Sequence, residues 1–115
     1  MFSRFFLKIY FIIYFPFSLN LSNFNTINVT NMEYMFGGCS SLTNIDLSNF
    51  NTDNATDMWG MFDECSSLSS INLSNFNTDN VNNIYGMFGR CQSLDKNKII
   101  IKNQTILNND KLFNE

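Results

Sequence analysis

Apolar positions along this chain follow two alternating rhythms. Met32, Met35, Phe36 and Cys39 stand at i, i+3, i+4 and i+7, the stripe of a helix about two turns long. The same spacing returns at Met58, Met61, Phe62, Cys65 and at Ile84, Met87, Phe88, Cys91. Thr30 followed by Glu33 predicts a capping box for the first of these helices, and Gly37 and Gly38 suit its end. A second rhythm follows, Leu42-x-x-Ile45-x-Leu47 and again Leu68, Ile71, Leu73. Its closing alternation predicts a short strand with Ile45 and Leu47 inward and Asn44, Asp46 and Ser48 outward.

The whole pattern repeats every 26 residues, and its fixed point is the hexapeptide LSNFNT at Leu21–Thr26, Leu47–Thr52 and Leu73–Thr78. Self-similarity at such a period marks a solenoid, in which each repeat forms one rung and is stable only when stacked. The L-x-x-L-x-L spacing is that of the strand in a leucine-rich repeat. The predicted fold class is therefore α/β, a short leucine-rich-repeat solenoid of about three rungs, each with a short parallel strand and a short helix. Stacked strands ~4.8 Å apart would form one parallel sheet, apolar inside and polar outside. LSNFNT reads as the turn off the strand, with Phe24, Phe50 and Phe76 as an interior column and its Asn and Thr side chains bonding the bending backbone.

The combination "MF..C.SL..I.LSNFNT", kept in phase over about residues 18–94, resembles the repeat of the BspA-type leucine-rich repeat surface proteins of bacteria and some unicellular eukaryotes. That resemblance implies a cell-surface or secreted solenoid engaged in adhesion and binding of host or matrix proteins. It implies no catalytic residues, because the repeated positions in that family are structural. Some relatives look lipid-anchored through an N-terminal cysteine; the first cysteine here, Cys39, lies inside the repeat.

The ends depart from the pattern. Arg4 and Lys8 precede a nine-residue apolar run at positions 9–17, the layout of a secretory signal or marginal signal anchor. No A-x-A-like cleavage site accompanies it, and a remnant of an earlier rung is the alternative, since Ile, Tyr and Phe favour strands. After Leu94 the spacing slips. Lys98–Lys102 reads as a last strand displaced by two residues and flanked by lysines that discourage edge pairing. Ile106, Leu107, Leu112 and Phe113 offer capping contacts in an otherwise polar tail. The resulting division is 1–17, signal peptide or anchor; 18–102, solenoid; 103–115, tail or cap.

Charge narrows the partners. The chain carries 7 basic and 10 acidic residues and no histidine. Between Ser18 and Cys91 stand seven acids and a single base, Arg90, a balance that repels a phosphate backbone and argues against nucleic acid. The absence of histidine removes the commonest general base and metal ligand. Asparagine is the most frequent residue, a bias that an AT-rich genome would also produce. It creates N-x-[ST] sequons at Asn20, Asn28, Asn54, Asn72 and Asn103, for most of which chance is sufficient.

Other candidate chemistry reads as architecture. Cys39, Cys65 and Cys91, each 26 apart, lack the close pairs of a zinc site. They are expected as buried, reduced packing residues, with intermolecular pairing as the alternative. The methionines are expected in the core. Asp53, Asp57, Asp63, Glu64 and Asp79 form no calcium-loop motif and are expected as a solvated acidic face. Tyr34, Trp59 and Tyr85 are expected to form an aromatic column on the helix side. The candidate partner-binding surface is the outward strand face, Asn44, Asp46, Ser48, Ser70, Asn72 and Ser74, because solenoids recognise partners through such extended faces.

No nucleophile is paired with a base, so the sequence points to no enzyme, cofactor, metal or small-molecule substrate. The expected function is a surface or secreted interaction module, binding an extracellular or host protein. Membrane contact would run only through residues 1–17. The alternative is a truncated, purely structural repeat fragment of a longer surface protein.

Overall fold

The computed structural model describes residues 18–114. The signal, anchor or earlier-rung readings of residues 1–17 lie outside the described residues. Four short strands are present among the described residues: β1, Ser18–Leu19; β2, Asn44–Ile45; β3, Ile71–Leu73; and β4, Ile99–Ile101. β1 runs parallel to β2 with Ser18 opposite Asn44. β3 runs parallel to β4 with Ile71 opposite Ile99, a register two residues longer than the first pair, where the spacing slips after Leu94. Ile45, Ile71, Leu73, Ile99 and Ile101 are buried, while Asn44, Asn72 and Ile100 face out.

The expected single sheet is instead two separate pairs. Strands of two or three residues make few ladder bonds, and between β2 and β3 side chains take over the joining. The Asn75 carboxamide donates to the carbonyls of Leu47 and Phe50 at 3.0 and 2.6 Å.

The predicted helices are absent: among the described residues there is no α-helix. In the first repeat the N–H groups of Met35, Gly37 and Cys39 donate to carbonyls three residues back. The alternating groups of Met32, Tyr34, Phe36 and Gly38 cross to the carbonyls of Asp57, Trp59, Met61 and Asp63 in the next repeat. The second repeat reaches the third in the same way, from Met58, Gly60, Phe62 and Glu64 to Asn83, Tyr85, Met87 and Gly89. Each repeat also holds two residues with positive φ, Tyr34 and Gly38, Gly60 and Glu64, Gly86 and Arg90. A right-handed helix cannot pass through such residues, and an eight-residue segment is too short to be helical unaided. The chain of tight turns still directs Met32, Met35, Phe36 and Cys39 inward, all of them buried. Periodicity thus identified the core residues while misreading the backbone that presents them.

Gly60 needs both its φ of +59° and its missing side chain. A Cβ there would lie 2.5 Å from the Tyr34 ring.

The capping box is replaced by a different device. Asn31, Asp57 and Asn83 accept the N–H two residues on, from Glu33, Trp59 and Tyr85, at 2.9, 2.9 and 3.1 Å. An Asx turn of this kind sets the direction of the chain as it enters each run of turns.

The core is a continuous column. Phe36 stacks on Phe62 at 5.5 Å and Phe62 on Phe88 at 5.6 Å, the ring planes nearly parallel in both cases. Phe113 continues it, 5.9 Å from Phe88. Phe113 belongs to a 3-10 turn, Asp110–Phe113, whose Lys111 and Leu112 carbonyls accept from Gly86 and Phe88. The tail therefore occupies the place beside the third repeat that a further repeat would fill.

Candidate functional site

LSNFNT is built from four different tasks. Its leucine and phenylalanine are apolar packing: Leu21, Leu47, Phe50, Leu73 and Phe76 are buried, and Phe24 is half-buried. Its first asparagine bridges repeats, as Asn49 donates to the carbonyls of Leu21 and Phe24 at 2.7 and 2.9 Å. The second closes an Asx turn, Asn25 on Ile27, Asn51 on Asp53 and Asn77 on Asp79. The threonine joins its repeat to the next as donor and acceptor at once. Thr26 Oγ1 donates to the Asn51 carbonyl at 3.0 Å and accepts the Asn51 N–H at 2.9 Å. Thr52 repeats the exchange with Asn77 at 2.9 and 2.8 Å. Asn54 and Asn80 add a further bridge each, to the carbonyls of Ile27 and Asp53. The asparagine bias thus has structural work in every repeat. Among the described residues no buried side-chain nitrogen or oxygen lacks a partner.

On the strand side, Asn44, Asp46, Ser48, Ser70, Asn72 and Ser74 are all exposed. Asn44, Asp46 and Ser48 line a shallow depression of about 370 Å³ together with Asn20 and Asn49. The same three residues border a second, of about 360 Å³, with Asn72, Ser74 and Asn75. Five of the six are thus brought together, and Ser70 lines neither depression.

Two of them are already engaged in their own turns. Asp46 Oδ1 accepts the Ser48 N–H at 2.9 Å and Asn72 Oδ1 the Ser74 N–H at 3.0 Å. Hydrogen bonds from the Ser48 side chain and backbone hold the Asp46 carboxyl below its ordinary value. Asp46 therefore presents a fixed negative charge with one oxygen pointing into the turn.

The aromatic residues do not form the expected column. Trp59 and Tyr85 occupy the repeat position of Glu33, whereas Tyr34 aligns with Gly60 and Gly86. Tyr34 instead leans across Gly60 to meet Trp59 edge-on at 4.8 Å. Tyr85 is 40% exposed.

The acidic face also differs from expectation at one point. Asp63 is buried, with its two oxygens 3.3 and 2.6 Å from Nε and Nη2 of Arg90. Arg90 also reaches Glu64 at 3.1 Å. Asp63 and Arg90 stand 27 residues apart, one more than the repeat, so the period alone does not pair them. Asp53 and Asp79 remain exposed.

Cys39, Cys65 and Cys91 are free thiols, the first two buried. Burial pushes Cys39 up to about 11 and Cys91 up to about 12, and raises Cys65 as well. The Cys65 and Cys91 thiols donate to the Phe36 and Phe62 carbonyls at 3.3 and 3.0 Å. A thiol held neutral in this way is a poor nucleophile and a poor metal ligand. Among the described residues no three His, Cys, Asp or Glu side chains gather into a metal-binding group.

No described helix is long and apolar enough to cross a membrane. Comparison with curated proteins and with solved structures gave no match. One family model runs over residues 5–115, nearly the whole chain, and the chain belongs to that family, DUF285, described as a Mycoplasma protein of unknown function.

Proposed function

We propose that this chain is a repeat-built interaction module of the BspA type, a leucine-rich-repeat solenoid that meets a protein partner outside the cell through its strand face. The observation that carries this reading is the row of exposed small polar residues, Asn44, Asp46, Ser48, Asn72 and Ser74, across two adjoining depressions. Repeated polar side chains on a rigid stack offer many weak contacts at fixed spacing, which suits multi-point recognition. The in-phase repeat pattern and the BspA resemblance point the same way. In this reading the apolar repeat positions hold the stack, and neither catalysis nor a cofactor is needed.

Protease shaving of intact cells that express a C-terminally tagged copy, with the mature N-terminus read by mass spectrometry, tests the placement. Loss of the tag is expected; full protection would sink the surface reading. For the strand face, Asp46→Lys and Asn72→Lys are expected to weaken capture of an extracellular protein by more than the small loss of stability that follows from each missing Asx-turn bond, with circular dichroism showing both variants folded. Undiminished capture by both variants would move recognition to another face.

A further inference from the structure

The three LSNFNT turns are identical in sequence and differ in what lies beside them. Thr26 and Thr52 are each 1% exposed and exchange two hydrogen bonds with the asparagine one repeat on. The hydroxyl of Thr78, half-buried, takes part in no such exchange among the described residues. The carbonyls of Leu21 and Phe24 receive the Asn49 carboxamide, and those of Leu47 and Phe50 receive Asn75. Those of Leu73 and Phe76 receive no corresponding amide from the described residues.

The cause is a shortened turn. After β4 the chain passes through Lys102 and Asn103 directly into the 3-10 turn Gln104–Asn108, so no fourth LSNFNT covers the third. A groove of about 450 Å³ remains, lined by the turn from Ser74 to Asp79 together with Asp53, Lys102 and Asn103.

We propose that this groove binds an asparagine-bearing turn, of the Asn-x-Asn kind, from another polypeptide, held by the bonds that join one repeat to the next. The groove continues the column of repeat-to-repeat contacts, so the chemistry of its occupant is displayed twice within the molecule. A carboxamide NH₂ of the partner donates to the Phe76 carbonyl, since Phe76 borders the groove, whereas Leu73 is fully buried and its carbonyl already accepts the Phe76 N–H. A backbone N–H of the partner donates to Thr78 Oγ1, and the Thr78 O–H donates to the carbonyl of the same residue. Phe76 is only 2% exposed, so its ring is already covered and the partner's own central side chain has no interior position to fill. Recognition therefore rests on the amide and the backbone. The groove adjoins the strand face, sharing Ser74 and Asn75 with its second depression, but Asp46 and Asn72 lie outside it, so changes at those two residues separate the two readings.

The probe is a labelled synthetic peptide, Leu-Ser-Asn-Phe-Asn-Thr-Asp-Asn, titrated against the full chain and followed by fluorescence anisotropy. Saturable binding is expected, kept when the peptide's Phe becomes Ala and lost when its first Asn becomes Asp, which replaces the amide donor with a carboxylate facing the Phe76 carbonyl. Thr78→Val keeps the shape of the turn and is expected to weaken binding about tenfold, since both bonds of the hydroxyl are removed. Its circular dichroism should match that of the unaltered chain, which separates lost binding from lost folding. Asp46→Lys, outside the groove, should bind the peptide normally. Absence of saturation, equal affinity in Thr78→Val, or equal binding of a scrambled peptide would each overturn the proposal. So would self-association of the chain that Thr78→Val relieves and the peptide does not compete with, because the occupant would then be a second copy.

Discussion

The second and third repeats carry almost the same letters and make different use of them. Thr52 is buried between two repeats, and its hydroxyl both donates to and accepts from Asn77 of the next one, whereas Thr78 has a repeat on one side only. Cys65 is buried and Cys91 is half-buried. Phe62 lies between two rings in nearly parallel planes, while Phe88 has a repeat partner on one side and the tilted Phe113 on the other. The contribution of a residue in a stacked array is therefore set by its neighbours and not by its identity. A repeat at the end of the stack keeps its local turns but loses half of its joining bonds.

The strongest test of this difference is the ring column. Phe62→Ala should destabilise the fold by about 3–5 kcal/mol, the cost of an emptied aromatic site in a closed core. Phe88→Ala should cost less. Urea unfolding of the two variants decides it, and equal losses would mean that Phe113 closes the column as well as a further repeat would.

Next in size is the threonine pair. Thr52→Val leaves the Asn77 N–H and carbonyl without their partner and should cost about 1–3 kcal/mol. Thr78→Val should fall within about 0.5 kcal/mol of the unaltered chain. Similar values for both would remove the contrast between a stacked and an open turn.

A link particular to the third repeat follows. Arg90→Ala leaves the buried Asp63 carboxylate without the guanidinium, and a loss of about 1–2 kcal/mol is expected, reduced from the fully buried case because Arg90 is 43% exposed. Thermal unfolding at two salt concentrations would check it. A variant as stable as the parent would show that solvent serves Asp63 equally well.

The last effect, absent at neutral pH, is a pH dependence on the alkaline side. Unfolded thiols ionise near 9, and burial raises Cys39 to about 11 and Cys91 to about 12. The folded state thus retains protons that the unfolded state releases. Stability is full below pH 9 and falls as pH rises through the window up to those values. Chemical denaturation between pH 8 and 11 should show the fall, and Cys39→Ala should flatten its slope. An unchanged slope would assign the dependence to other groups.

Much of the interior was legible in the sequence. The repeat length, the inward strand positions Ile45, Leu47, Ile71 and Leu73, and the burial of Met32, Met35, Phe36 and Cys39 all follow from the spacing of apolar residues. That spacing is compatible with more than one backbone, which is why it suggested helices where tight turns stand. The Asx positions Asn31, Asp57 and Asn83 and the glycines Gly38, Gly60 and Gly86 were the local signals for those turns. For the outward strand face, the alternation of residues was enough to identify exposure. It was not enough to show that Asp46 and Asn72 also fasten their own turns, or that Ser70 stands apart from the two depressions.

Periodicity in the sequence by itself determined which residues lie inside and that the chain is arranged in repeats of 26, because burial of apolar surface must follow the period of the backbone. Only the tertiary structure decided how the repeats are joined. The bonds made by Asn49, Asn75, Thr26 and Thr52 each reach about one repeat along the chain, and no local pattern specifies which carbonyl a side chain will find there. It also decided that Thr78 is left open, since that depends on where Lys102 and Asn103 carry the chain after the last strand. Hydrogen bonds between distant segments are fixed by the packing that brings those segments together, and in this protein the same hexapeptide is either joined or open according to its neighbour.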